Sequence, residues 1–214
     1  MSQTHMRGLG SGCRIVLTGG PGGGKTTAAD LFRREVGEEV VVVPEAATLL
    51  FSGGFPRDPA PLAQRAAQSA IYHVQKNLED AQFVRYPGRI LLCDRGTVDG
   101  AAYWPGPSAD YFRELGTSLE AELARYDAVI FFESAAVGGI GIEGGNPVRN
   151  ENLTTAAALD TRLRELWSRH PRYILIPHSA SFLDKVSRGV RVLEKLIREV
   201  RCGGTGHPAP LAET

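Results

Sequence analysis

Residues 14–27 read RIVLTGGPGGGKTT: a run of strand formers, a glycine-rich bend, then the opening of an amphipathic helix. Gly19, four residues, then Gly24-Lys25-Thr26 satisfy G-x-x-x-x-G-K-[ST], and the strand before and helix after are the setting that motif requires. Glycine lets the backbone turn tightly enough for successive N–H groups to converge on phosphate oxygens, with a helix N-terminus behind them. The expected phosphate-contacting set is Gly20, Gly22, Gly23, Gly24, Lys25, Thr26 and Thr27. Lys25 would bridge the outer phosphates, and Thr26 would offer a hydroxyl to Mg2+, a hard cation that takes oxygen ligands. ATP or GTP is the implied ligand.

The remaining pattern agrees with this start. Four more short apolar runs, at 39–44, 89–94, 128–133 and 172–177, are continuous rather than alternating, as strands covered on both faces should be. Between them lie helical stripes: Ala28, Leu31, Phe32 and Val36; Ala67, Ile71, Val74, Leu78 and Ala81; Leu159, Leu163, Leu166 and Trp167; and Val186, Val190, Leu193, Ile197 and Val200. Strand–helix alternation predicts an α/β fold, a parallel sheet with helices on both faces. Ligands in such sheets bind at the carboxyl ends of the strands, so residues 18–27, 44–48, 94–100, 133–150 and 177–182 should meet.

A chain of 214 residues, 43% hydrophobic and 22% charged, suits one well-buried domain. The expected domain spans 13–202, with a glycine-rich lid segment at about 137–165 and flexible tails at 1–12 and 203–214. Net charge is zero, which gives no global reason to expect nucleic acid as a partner. No segment has the ~18 apolar residues of a membrane span, and peripheral lipid contact stays open. Cys13, Cys93 and Cys202 have no metal-ligand spacing, and reduced thiols fit a cytoplasmic chain. The five histidines share no spacing, so none is assigned to metal or catalysis.

What the chain does with a nucleotide turns on two strand ends. The third strand ends CDRG, which makes Asp94 the second candidate Mg2+ contact. Motor ATPases usually follow that aspartate with a glutamate that orients water. Here Arg95 follows, and an arginine stabilises phosphate charge without acting as a base. No N-K-x-D guanine-reading element is present. The second strand ends VVVPEAA, placing Glu45 where a carboxylate could take the proton of an attacking hydroxyl; as a helix cap, Glu45 would serve structure alone.

Together, GGPGGGKTT, VVVPEAA and CDRG resemble P-loop kinases, especially the deoxynucleoside kinase group, which carries Pro-Glu after its second strand and an acidic-Arg pair after its third. The resemblance implies a three-layer P-loop NTPase fold with a five-stranded parallel sheet ordered 2-3-1-4-5, Glu45 as base and Arg95 beside the phosphates. Over roughly residues 13 to 200 the chain is also similar to a set of P-loop proteins labelled "AAA domain, ATP-binding", sharing Gln68, Gln75, CDRG, NPVR and LWSRHP. Gly96 stands where deoxynucleoside kinases usually have serine, and Asp99 is one position out of register with their base-reading aspartate.

An acceptor pocket is expected around Gln68, Tyr72 and Gln75, whose amides can read a polar ligand or satisfy nearby backbone. Phe51, Phe55, Tyr103 and Trp104 are candidates for its apolar wall. Arg149 in the lid, with Arg162 and Arg164 following, resembles the arginine supply of a kinase lid, and Arg162 or Arg169 could instead pair with Glu165. The sum is a monomeric or dimeric, ATP- and Mg2+-dependent phosphotransferase. Lys25, Glu45, Arg95 and Arg149 would be catalytic, Thr26 and Asp94 would hold metal, and Glu45, Gln68, Gln75 and Arg95 would face a small hydroxyl-bearing acceptor, possibly nucleoside-like. The alternative is an ATP- or GTP-dependent switch that controls a protein or lipid partner.

Overall fold

The computed structural model describes residues 12–138 and 153–202. Residues 1–11, 203–214 and 139–152 of the expected lid, Arg149 included, lie outside the described residues, while 153–165 of that segment belong to a helix, Leu153–Trp167. The five strands form where the apolar runs fall: β1 (Arg14–Thr18), β2 (Val40–Val43), β3 (Ile90–Asp94), β4 (Ala128–Phe132) and β5 (Tyr173–Ile176). All pair in parallel in the order β2-β3-β1-β4-β5. β3 and β4 are buried at every position, which is why their sequences do not alternate.

The pleat sends alternate residues to two separate cores. Ile15, Leu17, Ile90, Leu92, Ile130 and Phe132 pack against α1 (Lys25–Val36) and α8 (Phe182–Cys202). Val16, Leu91, Cys93, Val129 and Phe131 face the opposite layer. That layer contains α3 (Pro61–Arg85), the short helices α4 (Gly100–Tyr103), α5 (Ser108–Glu114) and α6 (Leu119–Leu123), and α7 (Leu153–Trp167). Each large side chain withdrawn from water this way contributes about 1.5–3 kcal/mol. Cys13 and Cys93 are buried free thiols, and burial pushes both up in pKa.

The stripes on α1 and α7 face the core as expected, as does that of α8 over its described side chains. On α3 the expectation is only partly met. Ala67 is buried, but Ala81 is exposed and Ile71, Val74 and Leu78 are half-buried, whereas Tyr72, Gln75 and Glu79, outside the stripe, are turned fully inward. The helix is rotated toward its polar border because that border meets hydrogen-bonding groups of Ala46, Arg95, Glu122, Arg125 and Tyr126.

Register brings the strand ends level: Leu17 lies beside Asp94 on one side and Ile130 on the other. The chain therefore leaves β1, β3 and β4 at one edge of the sheet, where the phosphate loop, Arg95 and Glu133 sit. β2 runs alongside β3, with Val43 beside Cys93. That pairing delivers Glu45, at the start of α2 (Ala46–Ser52), to the same edge.

Candidate active site

The phosphate loop joins β1 to α1, and two of its glycines are obligatory. Gly19 has φ 131°, and a Cβ there would lie 2.0 Å from the Phe132 carbonyl oxygen. Gly24 caps α1 with φ 88° in the left-handed region, which side chains avoid. The first N–H groups of α1 have no intrahelical partner by construction and point out of the loop. Lys25, 4% exposed, folds back so that Nζ donates to the carbonyls of Gly19 (2.9 Å) and Gly20 (2.7 Å).

The first half of the loop is fastened from the β4 side. Asp160 of α7 accepts from the Gly20 amide at 2.9 Å and the Ser134 amide at 2.8 Å through one oxygen. Ser134 Oγ donates to the Pro21 carbonyl at 2.6 Å. Burial raises the Asp160 carboxyl in pKa, opposed by those two amides. Beside it, Lys185 of α8 donates to the Glu133 carbonyl, and burial lowers its ammonium to about 8.

On the β3 side, Thr26 Oγ1 donates to Asp94 Oδ2 at 2.9 Å. Burial, then the Glu45 carboxylate, raises the Asp94 carboxyl, while Lys25, Thr26 and Arg95 oppose the shift. Among the described residues no cluster of three or more His, Cys, Asp or Glu side chains could hold a metal ion. Thr26 and Asp94 supply two hard oxygens beside the phosphate loop. This donor set fits Mg2+, which usually takes one or two protein ligands and completes its shell with water and substrate phosphates.

Arg95 is the feature that joins loop to cavity. It adopts φ 72°, the one left-handed non-glycine among the described residues. Its Nε donates to Glu45 Oε1 at 2.6 Å, and Thr48 Oγ1 donates to the other Glu45 oxygen at 2.6 Å. Nη1 and Nη2 of Arg95 are buried without a hydrogen-bond partner. Glu45 and Arg95 form one wall of a cavity of about 210 Å³, with Gln68, Tyr72, Phe51 and Tyr103 around it. A space of this size suits a small molecule.

A family model described as "AAA domain", AAA_28, matches residues 14–185. The chain belongs to the AAA_28 family. No curated protein matches the AAA_28 chain in sequence. Among solved structures it is similar to deoxyadenosine kinase from M. mycoides with bound dATP, with a TM-score of 0.61 at 13% identity, covering 85% of this chain and 99% of that one. That likeness establishes the fold, a P-loop kinase fold.

Several expectations for the AAA_28 chain change in detail. Gln68 lines the cavity with its amide making no hydrogen bond among the described residues. Gln75, also in the wall, spends its amide on the protein: Oε1 accepts from Ala46 N, and Nε2 donates to the Arg95 carbonyl and to Glu79. Phe51 and Tyr103 line the space, while Phe55 packs edge-on against Phe51 and Trp104 is core. Arg162 and Arg164 of the AAA_28 chain are engaged with the protein itself. Arg162 donates to the Ala102 carbonyl at 3.2 Å, and Arg164 pairs with Glu133 at 3.2 Å.

Asp99, out of register for a base reader, accepts from Thr18 Oγ1, Trp167 Nε1 and the Gly96 amide at 2.5, 2.9 and 2.9 Å. It fixes the turn after β3. Gly96 replaces the usual serine because a Cβ there would stand 2.8 Å from the Trp167 ring. Asp160 and Ser134 escaped the sequence reading. The available signal was an acid set inside the apolar stripe of α7, next to Leu159 and three residues before Leu163.

Proposed function

We propose that the chain is an ATP- or GTP-dependent phosphotransferase that acts on a small hydroxyl-bearing acceptor. The observation that carries this reading is the Glu45–Arg95 pair in the wall of a cavity distinct from the phosphate loop. A nucleotide holder or a switch needs the loop, but has no use for a buried carboxylate facing room for a second molecule. The structural neighbour is a kinase with bound dATP, which supports a nucleotide ligand for this fold.

In this reading the loop amides and Lys25 hold the donor phosphates. To do so, Lys25 turns part of its hydrogen bonding from the Gly19 and Gly20 carbonyls to phosphate oxygens. Mg2+, held by Thr26 and Asp94, supplies positive charge to the outer phosphates when bound. The acceptor hydroxyl lies against Glu45, with Gln68 contacting its polar edge and Phe51 and Tyr103 its apolar faces. The hydroxyl oxygen attacks the terminal phosphorus and forms the new P–O bond while the bond to the bridging oxygen breaks. The electron pair leaves with the nucleoside diphosphate, and the hydroxyl proton passes to Glu45. The Nη groups of Arg95, which make no hydrogen bond, with Arg149 delivered from the lid, stabilise the transferring group.

The deciding experiment supplies Mg2+-ATP and Mg2+-GTP with a panel of nucleosides, nucleotides and phosphorylatable metabolites and follows diphosphate release. At least one acceptor should raise the rate above the hydrolytic background. A flat panel, combined with nucleotide-dependent binding of a protein or lipid, would replace the transferase with the switch.

A further inference from the structure

The ground behind the Glu45–Arg95 pair is polar and dry. Gln75 is 2% exposed and Glu79 fully buried, both on the inward face of α3. Gln75 Oε1 accepts from the Ala46 amide at 3.3 Å, and its Nε2 donates to the Arg95 carbonyl at 3.2 Å and to Glu79 Oε1 at 3.1 Å. The amide orientation is fixed, since an N–H needs an acceptor on one side and a C=O a donor on the other. Glu79 is held in turn: Oε1 accepts from Tyr126 Oη and Oε2 from Arg125 Nη2, both at 2.8 Å.

The two backbone groups that Gln75 joins are the ones next to the reacting side chains. Ala46 follows Glu45, and the other group is the carbonyl of Arg95 itself. Arg95 is the residue in the left-handed region, a conformation a long side chain keeps only when its surroundings impose it. Its amide donates to the Leu17 carbonyl at 2.9 Å, so Gln75 secures the other end of the same strained residue. Apolar side chains would fill this space at lower cost than a buried Glu–Arg pair.

We infer that Gln75, backed by Glu79 and Arg125, is a positioning residue: a strut that holds Arg95 in its strained conformation and so keeps guanidinium and carboxylate aligned toward the acceptor. Its catalytic consequence rests on the phosphotransfer reading; the strut itself does not.

The test uses the full chain as wild type, Gln75→Met and Gln75→Glu. Gln75→Met removes both backbone bonds at similar length, so exchange of the Ala46 amide hydrogen should accelerate about tenfold or more, as expected for a lost buried hydrogen bond. Turnover of Mg2+-ATP should fall about 10- to 100-fold while its KM stays within about threefold, because the phosphate loop is untouched. Gln75→Glu, buried beside Glu79, regains a donor only when protonated. Its rate relative to wild type should therefore recover as pH falls from about 8 to about 6. Should Gln75→Met fail to fold, Gln75→Glu, which keeps the oxygen that accepts from Ala46 and loses the donor to Arg95, still carries the pH readout. Unchanged Ala46 exchange in Gln75→Met, a parallel rise in KM, or a pH-independent Gln75→Glu deficit would overturn the strut. A wild type that releases no ADP would instead overturn phosphotransfer, and Ala46 exchange would still decide the strut.

Discussion

Arg95 and Glu45, fifty positions apart, meet through a single 2.6 Å bond between Nε and Oε1 with both side chains buried. The pair fixes the direction of the carboxylate and gives the guanidinium its closest counter-charge. Its two Nη nitrogens make no hydrogen bond, Nη1 standing 3.9 Å from Asp99 Oδ2.

Glu45→Gln removes the charge while keeping an oxygen for Arg95 Nε. Acceptor-dependent turnover should drop about 10²- to 10⁴-fold, the range for a lost general base, with Mg2+-ATP affinity within about threefold. Stability should fall by about 2–3 kcal/mol, because one member of a buried pair stays charged. Adding Arg95→Met should restore much of that stability and none of the activity. Urea unfolding, calorimetric titration and diphosphate release separate the three quantities.

Asp160 joins α7 to the phosphate loop through one oxygen shared by the Gly20 and Ser134 amides. Asp160→Ala strands two buried donors and should cost about 2–4 kcal/mol. Nucleotide affinity should fall about tenfold as the loop loses its fixed edge. Asp160→Asn keeps an acceptor oxygen and should cost less than about 1 kcal/mol. Equal losses for both variants would mean that the charge, rather than the two bonds, does the fastening.

The sheet was readable because strands buried on both faces must be written in apolar residues, and the loop because only glycine fits Gly19 and Gly24. Strand order came with the kinase resemblance rather than from periodicity. The polar layer was less legible. Glu79, Gln75 and Asp160 each stand beside or within an apolar stripe, and sequence does not reveal whether such a residue turns outward to water or inward to a partner far along the chain. The partners of Arg162 and Arg164 were hidden for the same reason, since Ala102 and Glu133 lie elsewhere in the chain. Arg95's backbone strain has no sequence signal, as it is imposed by Leu17, Gln75 and Glu45 together.

Thr26 and Asp94 offer two oxygens for a cation at the mouth of the loop. Mg2+ should tighten ATP binding to the wild type. In Thr26→Val most of that gain should be lost, about tenfold in Kd, since one ligand and its hydrogen bond vanish while the loop amides remain. Titrations with and without EDTA measure this directly. An unaltered Mg2+ effect in Thr26→Val would remove the threonine from the metal's shell.

Lys185 gives the fold a pH dependence of predictable sign. The residue is 3% exposed, and burial brings its ammonium from the ordinary 10.5 to about 8, against the pull of Asp160 and Glu133. Below about 8 the lysine is charged in both folded and unfolded chains, and the folded state bears the desolvation cost. Between about 8 and 10.5 the unfolded chain binds more protons than the folded one, so stability must rise with pH there. Relative to Lys185→Met, which has no proton to exchange, the wild type should gain about 2 kcal/mol between about pH 7.5 and 9.5. Taking the difference between the two proteins cancels every other titrating group, so urea unfolding at a few pH values suffices. A constant difference would mean that water reaches Lys185 and that its neighbours, the carboxylate of Asp160 and the end of β4, hold the phosphate loop in a wetter setting than the packing indicates.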